Sequence, residues 1–323
     1  MTVSAGKVAG RPEGGARPGP AAAGGRPGKP AFTLRRGLAI AGYLAPAALF
    51  VGVFVYYPMV SGSQMAFRHW DLNDLTDTSF TGWGNFKAVF DDPVWGTVLV
   101  NTLVWVVGSL VPQLVIGFAL ALWLRRRFRF RGLYQALVFF PWAVSGFLIG
   151  ILFRWLFNGE FGVVNDLLQK TGISDQPIAW LADPGKAMVA VTVANVWYGV
   201  TFFAIMIMAA LQSVPEELYE ASALDGAGKV RTLFQVTVPY IRTTLALTVL
   251  LRVIWIFNFP DLIFGMTGGG PSDQTQIVTS WMITTTQQGD YGKASALGLM
   301  VVATLLAFSV CYLSLSRRKG ESL

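Results

Sequence analysis

The stretch AMVAVTVANVWYGVTFFAIMIMAAL, residues 187–211, decides the fold of this protein, because it carries no charged side chain along its whole length. A helix needs about 20 predominantly apolar residues to cross the hydrocarbon core of a bilayer. The next charged residue, Glu216, comes only after this length is complete. We therefore predict a membrane-spanning α-helix here.

Five more apolar runs have the length of a membrane span, and they lie at residues 38–60, 98–124, 133–157, 243–264 and 294–315. Only 13% of the 323 residues are charged and 53% are hydrophobic, whereas a soluble domain carries roughly a quarter charged residues. Most of the surface must therefore face lipid or other helices. The sequence predicts an all-α, polytopic membrane protein with six transmembrane helices. Kinks are expected at the prolines within these runs, which are Pro46, Pro112, Pro141 and Pro260.

Lysine and arginine are distributed unevenly between the two sides of the runs. If the N-terminus is cytoplasmic, the inner segments hold seven before the first run, five at 125–131, three in the loop between the fourth and fifth runs, and three after the sixth. The outer loops hold only five, and Arg154 and Arg252 lie within runs. Because positive charge accumulates in cytoplasmic loops, we expect both termini to be cytoplasmic.

The runs divide the chain into four parts. Residues 1–33 are rich in Gly, Pro and Ala, with too few large apolar side chains to offset the entropy of ordering, and are predicted to be a disordered cytoplasmic tail. Residues 34–94 hold the first helix and an external loop. Residues 95–316 form a transmembrane domain of five helices, and residues 317–323 form a short cytoplasmic tail.

The sequence offers little that could carry covalent chemistry. One histidine, His69, and one cysteine, Cys311, are too few for a metal site or a His-based catalytic group. The segments that end in Gly228-Lys229 and Gly292-Lys293 lack the first glycine and the Ser or Thr of a phosphate-binding loop. We expect no catalytic residue, no metal and no cofactor on this chain.

The loop between the fourth and fifth runs, residues 212–240, is far longer than a tight helix connection needs. Ser213 and Glu216 match a capping box, which predicts the start of a helix. Asp225-Gly226 is expected to end that helix, where a left-handed residue is wanted. A second short helix is expected from about Lys229 to Pro239. The loop is therefore predicted to be a compact helical hairpin whose small residues let another protein approach closely.

The hairpin resembles the EAA loop of binding-protein-dependent ABC importer permeases, in the residues Glu220, Ala221, Ser222, Asp225, Gly226, Ala227 and Pro239. Ser222 stands where many members have alanine. Segments 267–271 (TGGGP), 57–58 (YP), 84–86 (GNF) and 101–102 (NT) are similar to the carbohydrate-uptake branch, of the maltose and glycerol-phosphate type. The likeness covers about residues 38–315.

This resemblance implies a type I ABC importer permease fold in a prokaryotic cell membrane. It implies three partners: a second, related permease, ABC ATPase subunits that carry ATP and Mg²⁺, and an external solute-binding protein. The hairpin would dock into a cleft of the ATPase and transmit its closure to the membrane helices.

Polar and aromatic groups within the runs are candidates for a solute pathway, because polar groups in membrane spans usually face a cavity or a partner helix. An aromatic ring beside an amide or carboxylate suits a sugar, which has an apolar C–H face and a rim of hydroxyls. The resemblance to maltose permeases implies a pocket at matching positions. The candidates are Tyr198, Gly199, Phe202, Phe257, Asn258 and Asp261. Tyr198 and Phe202 are expected to share one helix face, and Phe257 and Asp261 another.

Several alternatives stay open at this stage. Arg252 would either pair with an acidic group of the partner permease or contact an anionic substrate. The solute could be a sugar, an oligosaccharide, glycerol phosphate or another polar solute, and either permease of the pair could hold it. A secondary transporter driven by an ion gradient is the alternative from another class, although such proteins often show internal repeats and several carboxylates at mid-membrane.

Overall fold

The computed structural model describes residues 34–74, 76–126 and 128–318. The predicted disordered tail, residues 1–33, lies outside them, as do residues 319–323 of the predicted C-terminal tail. The described residues form helices and isolated β-bridges, without a named strand. The chain divides between Tyr57 and Pro58 into two compact units.

The helices are numbered in chain order. They are α1 (Leu34–Val51), α2 (Tyr57–Met65), α3 (Gly84–Phe90), α4 (Trp95–Leu124), α5 (Arg131–Phe139), α6 (Gly146–Leu156), α7 (Val163–Lys170), α8 (Pro184–Gln212), α9 (Glu216–Leu224), α10 (Lys229–Thr232), α11 (Val238–Phe257), α12 (Asp261–Met266), α13 (Val278–Gln287) and α14 (Tyr291–Arg318).

Five helical stretches are long and apolar enough to cross a membrane: Ile40–Met65, Trp95–Leu124, Pro184–Gln212, Lys229–Phe257 and Tyr291–Ser316. A sixth exists if the pair Arg131–Ala143 and Gly146–Leu156, bent by 103°, is one span. The prediction of a helical, polytopic membrane protein is confirmed. The structure supports five or six spans by length and composition.

The third apolar run is not the single helix predicted at residues 133–157. A 3-10 turn, Phe140–Ala143, follows α5, and the chain is extended at Val144 before α6 begins. Pro141 in this turn has no N–H to continue an α-helix. Ser145 then caps α6, because its Oγ accepts a hydrogen bond from the Leu148 N–H (3.3 Å).

The fifth run also differs from the prediction. The helix ends at Phe257, and Asn258 to Pro260 separate it from α12. At its other end the helix starts at Lys229 and passes through a π-helical segment, Leu233–Thr237, into α11. The expected stop at Pro239 is therefore wrong: the helix continues through this proline, and the π-helical segment directly before it changes the hydrogen-bond pattern there. The helices also continue through Pro46 and Pro112.

The core of the second unit forms where α4 packs along α8 and where α6 crosses α12. Trp105 is fully buried there, and its indole Nε1 donates a hydrogen bond to the Ile256 carbonyl (2.8 Å). Gly150 and Gly265 face each other at the α6–α12 crossing, where a Cβ on Gly150 would overlap the backbone of α12. Small residues let membrane helices approach this closely.

Two of the segments that carry the resemblance outside the hairpin, 101–102 and 84–86, make hydrogen bonds that hold loops in place. The Asn101 amide donates to the carbonyls of Asp273 (3.0 Å) and Gln276 (3.1 Å), and Thr102 Oγ1 accepts from the Val278 N–H (3.1 Å). These bonds bind α4 to the loop that follows the TGGGP segment, 267–271. Asn85 of the GNF segment donates to the Ala66 carbonyl (3.0 Å). Buried amide groups that are paired in this way stabilise irregular backbone.

The ion pair Asp92–Lys293 is expected to make stability dependent on pH. Its atoms lie 2.6 Å apart, and it joins the residues before α4 to the start of α14. Burial alone raises the pKa of Asp92, but hydrogen bonds from Lys293 and the Val94 N–H, together with the charge of Lys293, hold the pKa below its ordinary value. A carboxylate with a depressed folded pKa contributes stability above its unfolded pKa of about 3.9 and loses it as the pH falls through the folded pKa.

Replacing Asp92 with asparagine is therefore expected to lower stability at pH 7 by about 1 kcal/mol and to flatten its acid dependence. The measurement is the melting temperature of the purified chain between pH 7 and pH 3. Asp91→Asn, at the exposed neighbour, is the control. Equal curves for Asp92→Asn and the unmodified chain would contradict the prediction.

Candidate functional site

The hairpin between α8 and α11 consists of α9, a turn at Gly226 and α10. The predicted capping box at its start is wrong: α9 has Pro215 at its N-cap and no side-chain cap. Ser213 instead donates its hydroxyl to the Ala210 carbonyl (2.8 Å). The reason is that α8 continues to Gln212, so that Ser213 lies at the end of that helix rather than at the start of α9.

The end of α9 is built as predicted. Gly226 has φ +71°, in the left-handed region that glycine occupies without strain. The Ala227 N–H returns to the Ser222 carbonyl (3.0 Å), which closes the C-terminal cap. The Ser222 hydroxyl also shares a hydrogen bond with the Thr232 hydroxyl (2.8 Å). These bonds join α9 to α10.

Most residues of the matched motif are exposed on the surface of the hairpin. Glu220, Ala221, Asp225, Gly226 and Pro239 are exposed, Ala227 is half-buried and Ser222 is buried. Two large apolar side chains project beside them: Leu224 is 90% exposed and Val230 is 70% exposed. An exposed apolar patch rimmed by polar groups is typical of a protein contact.

Substitution of Gly226 tests the turn. Gly226→Ala is expected to destabilise the hairpin by about 1–2 kcal/mol, because a non-glycine residue is strained at this φ, although no atom lies within 4 Å of the added Cβ. Gly226→Asn should be milder, since asparagine tolerates the left-handed region. Hydrogen exchange of the α9 and α10 amides measures the effect. Equal exchange in the alanine and asparagine variants would contradict the prediction.

A second set of residues meets around Arg252, a buried cation on α11. Its Nε donates to Gln113 Oε1 on α4 (2.7 Å), and the Gln113 amide donates to the Asn195 carbonyl on α8 (2.8 Å). Gly199 lies against this pair: a Cβ there would overlap both Arg252 and Gln113. The Arg252 Nη2 and Asn195 Oδ1 atoms are buried without a hydrogen-bond partner among the described residues. Arg252 is thus bound within the chain.

Aromatic rings extend from Arg252 along α11 and α8. Phe202 lies under the guanidinium, with 5.8 Å between Arg252 Cζ and the ring centroid, and its ring is 5.2 Å from that of Trp255. Tyr198 stacks on Phe259 with centroids 5.2 Å apart and planes 8° from parallel. Trp255 remains 45% exposed. Together, Arg252 and these rings form what we term the aromatic surface: Tyr198, Phe202, Arg252, Trp255 and Phe259.

The structure separates Phe257 from this surface. Phe257 packs on the opposite side of α11, against the cluster that includes Val98 and Trp281. Asn258 is exposed in the break after α11, and Asp261 is exposed at the start of α12. The expectation that Phe257 and Asp261 share a helix face is wrong, because the helix ends between them. Sequence reasoning missed Gln113, Trp255 and Phe259, although Trp255 and Phe259 follow Arg252 at helical spacing of three and seven residues.

His69, Asp74 and Asp77 place one potential metal-ligating atom each within 4.8 Å of one another. The two carboxylates already accept local hydrogen bonds: Asp74 from the Thr76 hydroxyl (2.7 Å) and Asp77 from the Ser79 N–H (2.9 Å). Exposed turns produce such bonds without a ligand, so we assign no metal to this group.

Several long apolar helices, a buried cation between three of them and an exposed helical hairpin between two of them define a multi-pass membrane protein. Residues 113–318 match the family described as "Binding-protein-dependent transport system inner membrane component". The chain belongs to this family. The family resemblance seen in the hairpin residues is therefore confirmed.

Relatives of known name extend over most of the chain. It is 33% identical to the sulfoquinovosyl glycerol transport system permease protein SmoG of Agrobacterium fabrum, over 85% of this chain and 89% of that protein. It is 30% identical to the trehalose/maltose transport system permease protein MalF of Thermococcus litoralis, over 87% and 95%. A chain of a bacterial ABC transporter involved in alginate import shares the fold, with TM-score 0.76, 24% identity, and coverage of 88% of this chain and 96% of that one.

Proposed function

We propose that this chain is the permease subunit of an ATP-driven ABC importer that moves a sugar or oligosaccharide delivered by an external solute-binding protein. The observation that carries the proposal is the exposed hairpin between α8 and α11, in a chain of the binding-protein-dependent family. An ATPase that binds this hairpin would contact a segment connected directly to two membrane helices, α8 and α11. The chain itself makes and breaks no covalent bond.

The hairpin is the proposed contact with the ATPase. Its coupling residues are Glu220, Ala221, Ser222, Asp225, Gly226, Ala227 and Pro239. ATP and Mg²⁺ would be bound by the ATPase subunits and no cofactor by this chain. A second, related permease would complete the membrane pathway. The Lys and Arg distribution supports an orientation with both termini and the hairpin in the cytoplasm.

The aromatic surface is the proposed contact with the transported solute. The exposed face of Trp255 suits the C–H face of a sugar ring. Arg252 Nη2 is buried without a hydrogen-bond partner among the described residues, so it would meet a solute only after the surrounding helices move. Tyr198, Gly199 and Phe202 remain candidates for solute binding. Gly199 would act indirectly, because its lack of a side chain leaves space for Arg252. Asn258 and Asp261 remain candidates at the edge of the surface, whereas we assign Phe257 to packing.

The relatives favour a carbohydrate, because the names of two of them specify sulfoquinovosyl glycerol and trehalose/maltose, and a third is a diacetylchitobiose uptake permease of Streptomyces coelicolor. Glycerol phosphate or another polar solute is the alternative substrate for an ATP-driven importer. An ion-coupled secondary transporter is the alternative to the ATP-driven mechanism itself.

Uptake of labelled sugars by cells that express the whole transporter tests the proposal. ATP depletion is expected to stop uptake, and dissipation of the ion gradient at constant ATP is expected to leave it intact. A tagged permease should also retain an ATPase through purification. Uptake that survives ATP depletion but collapses with the ion gradient would overturn the proposal.

Labelling tests the orientation separately. In a chain whose only cysteine, Cys311, is replaced with serine, Gly228→Cys should react with a membrane-impermeant reagent only after the cells are opened. Gly172→Cys, in the turn after α7, should react in intact cells. The reverse pattern would place the hairpin outside the cell and exclude contact with a cytoplasmic ATPase.

A further inference from the structure

A cavity of about 610 Å³ lies between the end of α4 and the α9–α10 hairpin. Its polar lining comes from Arg125 and Arg126 on one side and from Tyr219, Lys229, Thr232 and Thr237 on the other. Leu122 and Leu233 form apolar parts of the wall. The cavity therefore joins a membrane helix to the hairpin.

The charge of this cavity is of one sign. Among the residues that the structure describes, three cations line it and no carboxylate does. The ion pairs found in the described part of the chain involve Lys170, Lys186 and Lys293 instead. Cations gathered without counter-ions attract an anion, and three together suit the several oxygens of a phosphate.

Arg125 is held in place for such a contact. Its Nη1 donates to the Tyr219 hydroxyl (2.7 Å), and its Cζ lies 4.6 Å from the centroid of that ring. The Thr237 hydroxyl reaches the same Tyr219 oxygen at 3.4 Å. One of the five N–H donors of the guanidinium is thereby used, and the group is oriented before any ligand arrives.

The residues beside the cavity are typical of the membrane interface, which favours a lipid headgroup over a soluble anion as the ligand. Trp123 on α4 is 42% exposed, and tryptophan is enriched at the headgroup level of bilayers. On α10 and the following π-helical segment, Lys229 and Arg231 lie near the exposed apolar side chain of Phe234. Basic and apolar groups together on an interfacial helix bind anionic lipid.

We propose that this cavity binds the phosphate headgroup of an anionic phospholipid, with Arg125, Arg126 and Lys229 as its cationic ligands. The lipid would bridge α4 and the hairpin, and so restrain the segment through which an ATPase is proposed to act. This site does not depend on which solute is transported.

Native mass spectrometry of the purified full chain tests the proposal, with phosphatidylglycerol and phosphatidylcholine offered in equal amounts. The unmodified chain should retain phosphatidylglycerol preferentially. The combined variant Arg125→Gln, Arg126→Gln, Lys229→Gln should lose about 100-fold in that affinity, at roughly one kcal/mol for each basic residue near an anionic surface and 1.4 kcal/mol for each factor of ten. A charge-matched control carries Lys87→Gln, Arg154→Gln and Lys170→Gln and should retain the lipid.

A single substitution controls for the possibility that the triple variant fails to fold. Arg126 is exposed and has no hydrogen bond to Tyr219, so Arg126→Gln should keep the melting temperature and still reduce phosphatidylglycerol retention about fivefold. Equal retention by the triple variant and the unmodified chain would overturn the proposal.

Two further measurements distinguish a phospholipid from other possible ligands of the cavity. If inorganic phosphate at millimolar concentration displaces the lipid and stabilises the chain equally well, the ligand is a free anion and the lipid assignment is wrong. If the triple variant loses the ATPase but retains lipid, the cavity is a protein contact and the proposal also fails.

Discussion

Replacing Glu220 with alanine is expected to abolish ATP-driven uptake while the chain still folds and inserts. Glu220 is exposed on α9, and no hydrogen bond or ion pair joins its side chain to the described part of the chain. Surface substitutions of this kind change stability by about 0.5 kcal/mol or less. Its proposed partner is the ATPase, where loss of a central interface residue costs about 2 kcal/mol or more.

The measurements are retention of the ATPase by a tagged permease and uptake at saturating ATP. Both should fall at least 10-fold, since 1.4 kcal/mol is a factor of ten in affinity. Glu217→Ala is the matched control, because it removes the same charge from an exposed position of the same helix outside the motif. Unchanged ATPase capture by Glu220→Ala, with uptake intact, would remove Glu220 from the coupling contact.

Replacing Gly199 with alanine is expected to destabilise the chain by about 3 kcal/mol or more and to stop uptake. The added Cβ would overlap Arg252 and Gln113, which form the hydrogen bond between α11 and α4. Overpacking of a core costs about 1–3 kcal/mol, and loss of a hydrogen bond to a buried charge adds about 1.5–3 kcal/mol. Arg252 is only 3% exposed, so solvent has little access to replace that bond.

The melting temperature of the purified chain and sugar uptake measure this effect. Gly108→Ala is the control, because its Cβ would meet the Thr192 methyl of α8 at 3.4 Å, an ordinary contact. A double variant, Gly199→Ala with Gln113→Ala, should recover part of the stability, because one of the two overlapping side chains is removed. Additive losses in the double variant would show that the overlap is not the cause.

The hairpin was the most predictable part of the candidate site. Glycine after an aspartate at a helix end predicts a left-handed cap from local backbone sterics alone, and Gly226 adopts it. The capping box failed for an equally local reason, because a charge-free run does not reveal where α8 ends. Ser213 was therefore assigned to the wrong helix.

The aromatic surface was predicted only in part. Tyr198, Gly199 and Phe202 were identified from their place in the fourth run, and the structure brings Gly199 and Phe202 to Arg252. Phe257, Asn258 and Asp261 were placed with them on the assumption of an unbroken helix. The helix ends at Phe257, so Asp261 does not continue its face, and Pro260, three residues after Phe257, was the available sign of the break.

Composition and periodicity by themselves determined that this chain is a helical membrane protein with a helical hairpin between two spans, because length, apolarity and capping are local properties of the sequence. Only the tertiary structure decided that Arg252 meets Gln113, 139 residues away in the chain, above a glycine of a third helix. In uniformly apolar helices no polar stripe marks the buried face. The contacts therefore depend on the angle at which helices cross and on where they break, and both arise from packing.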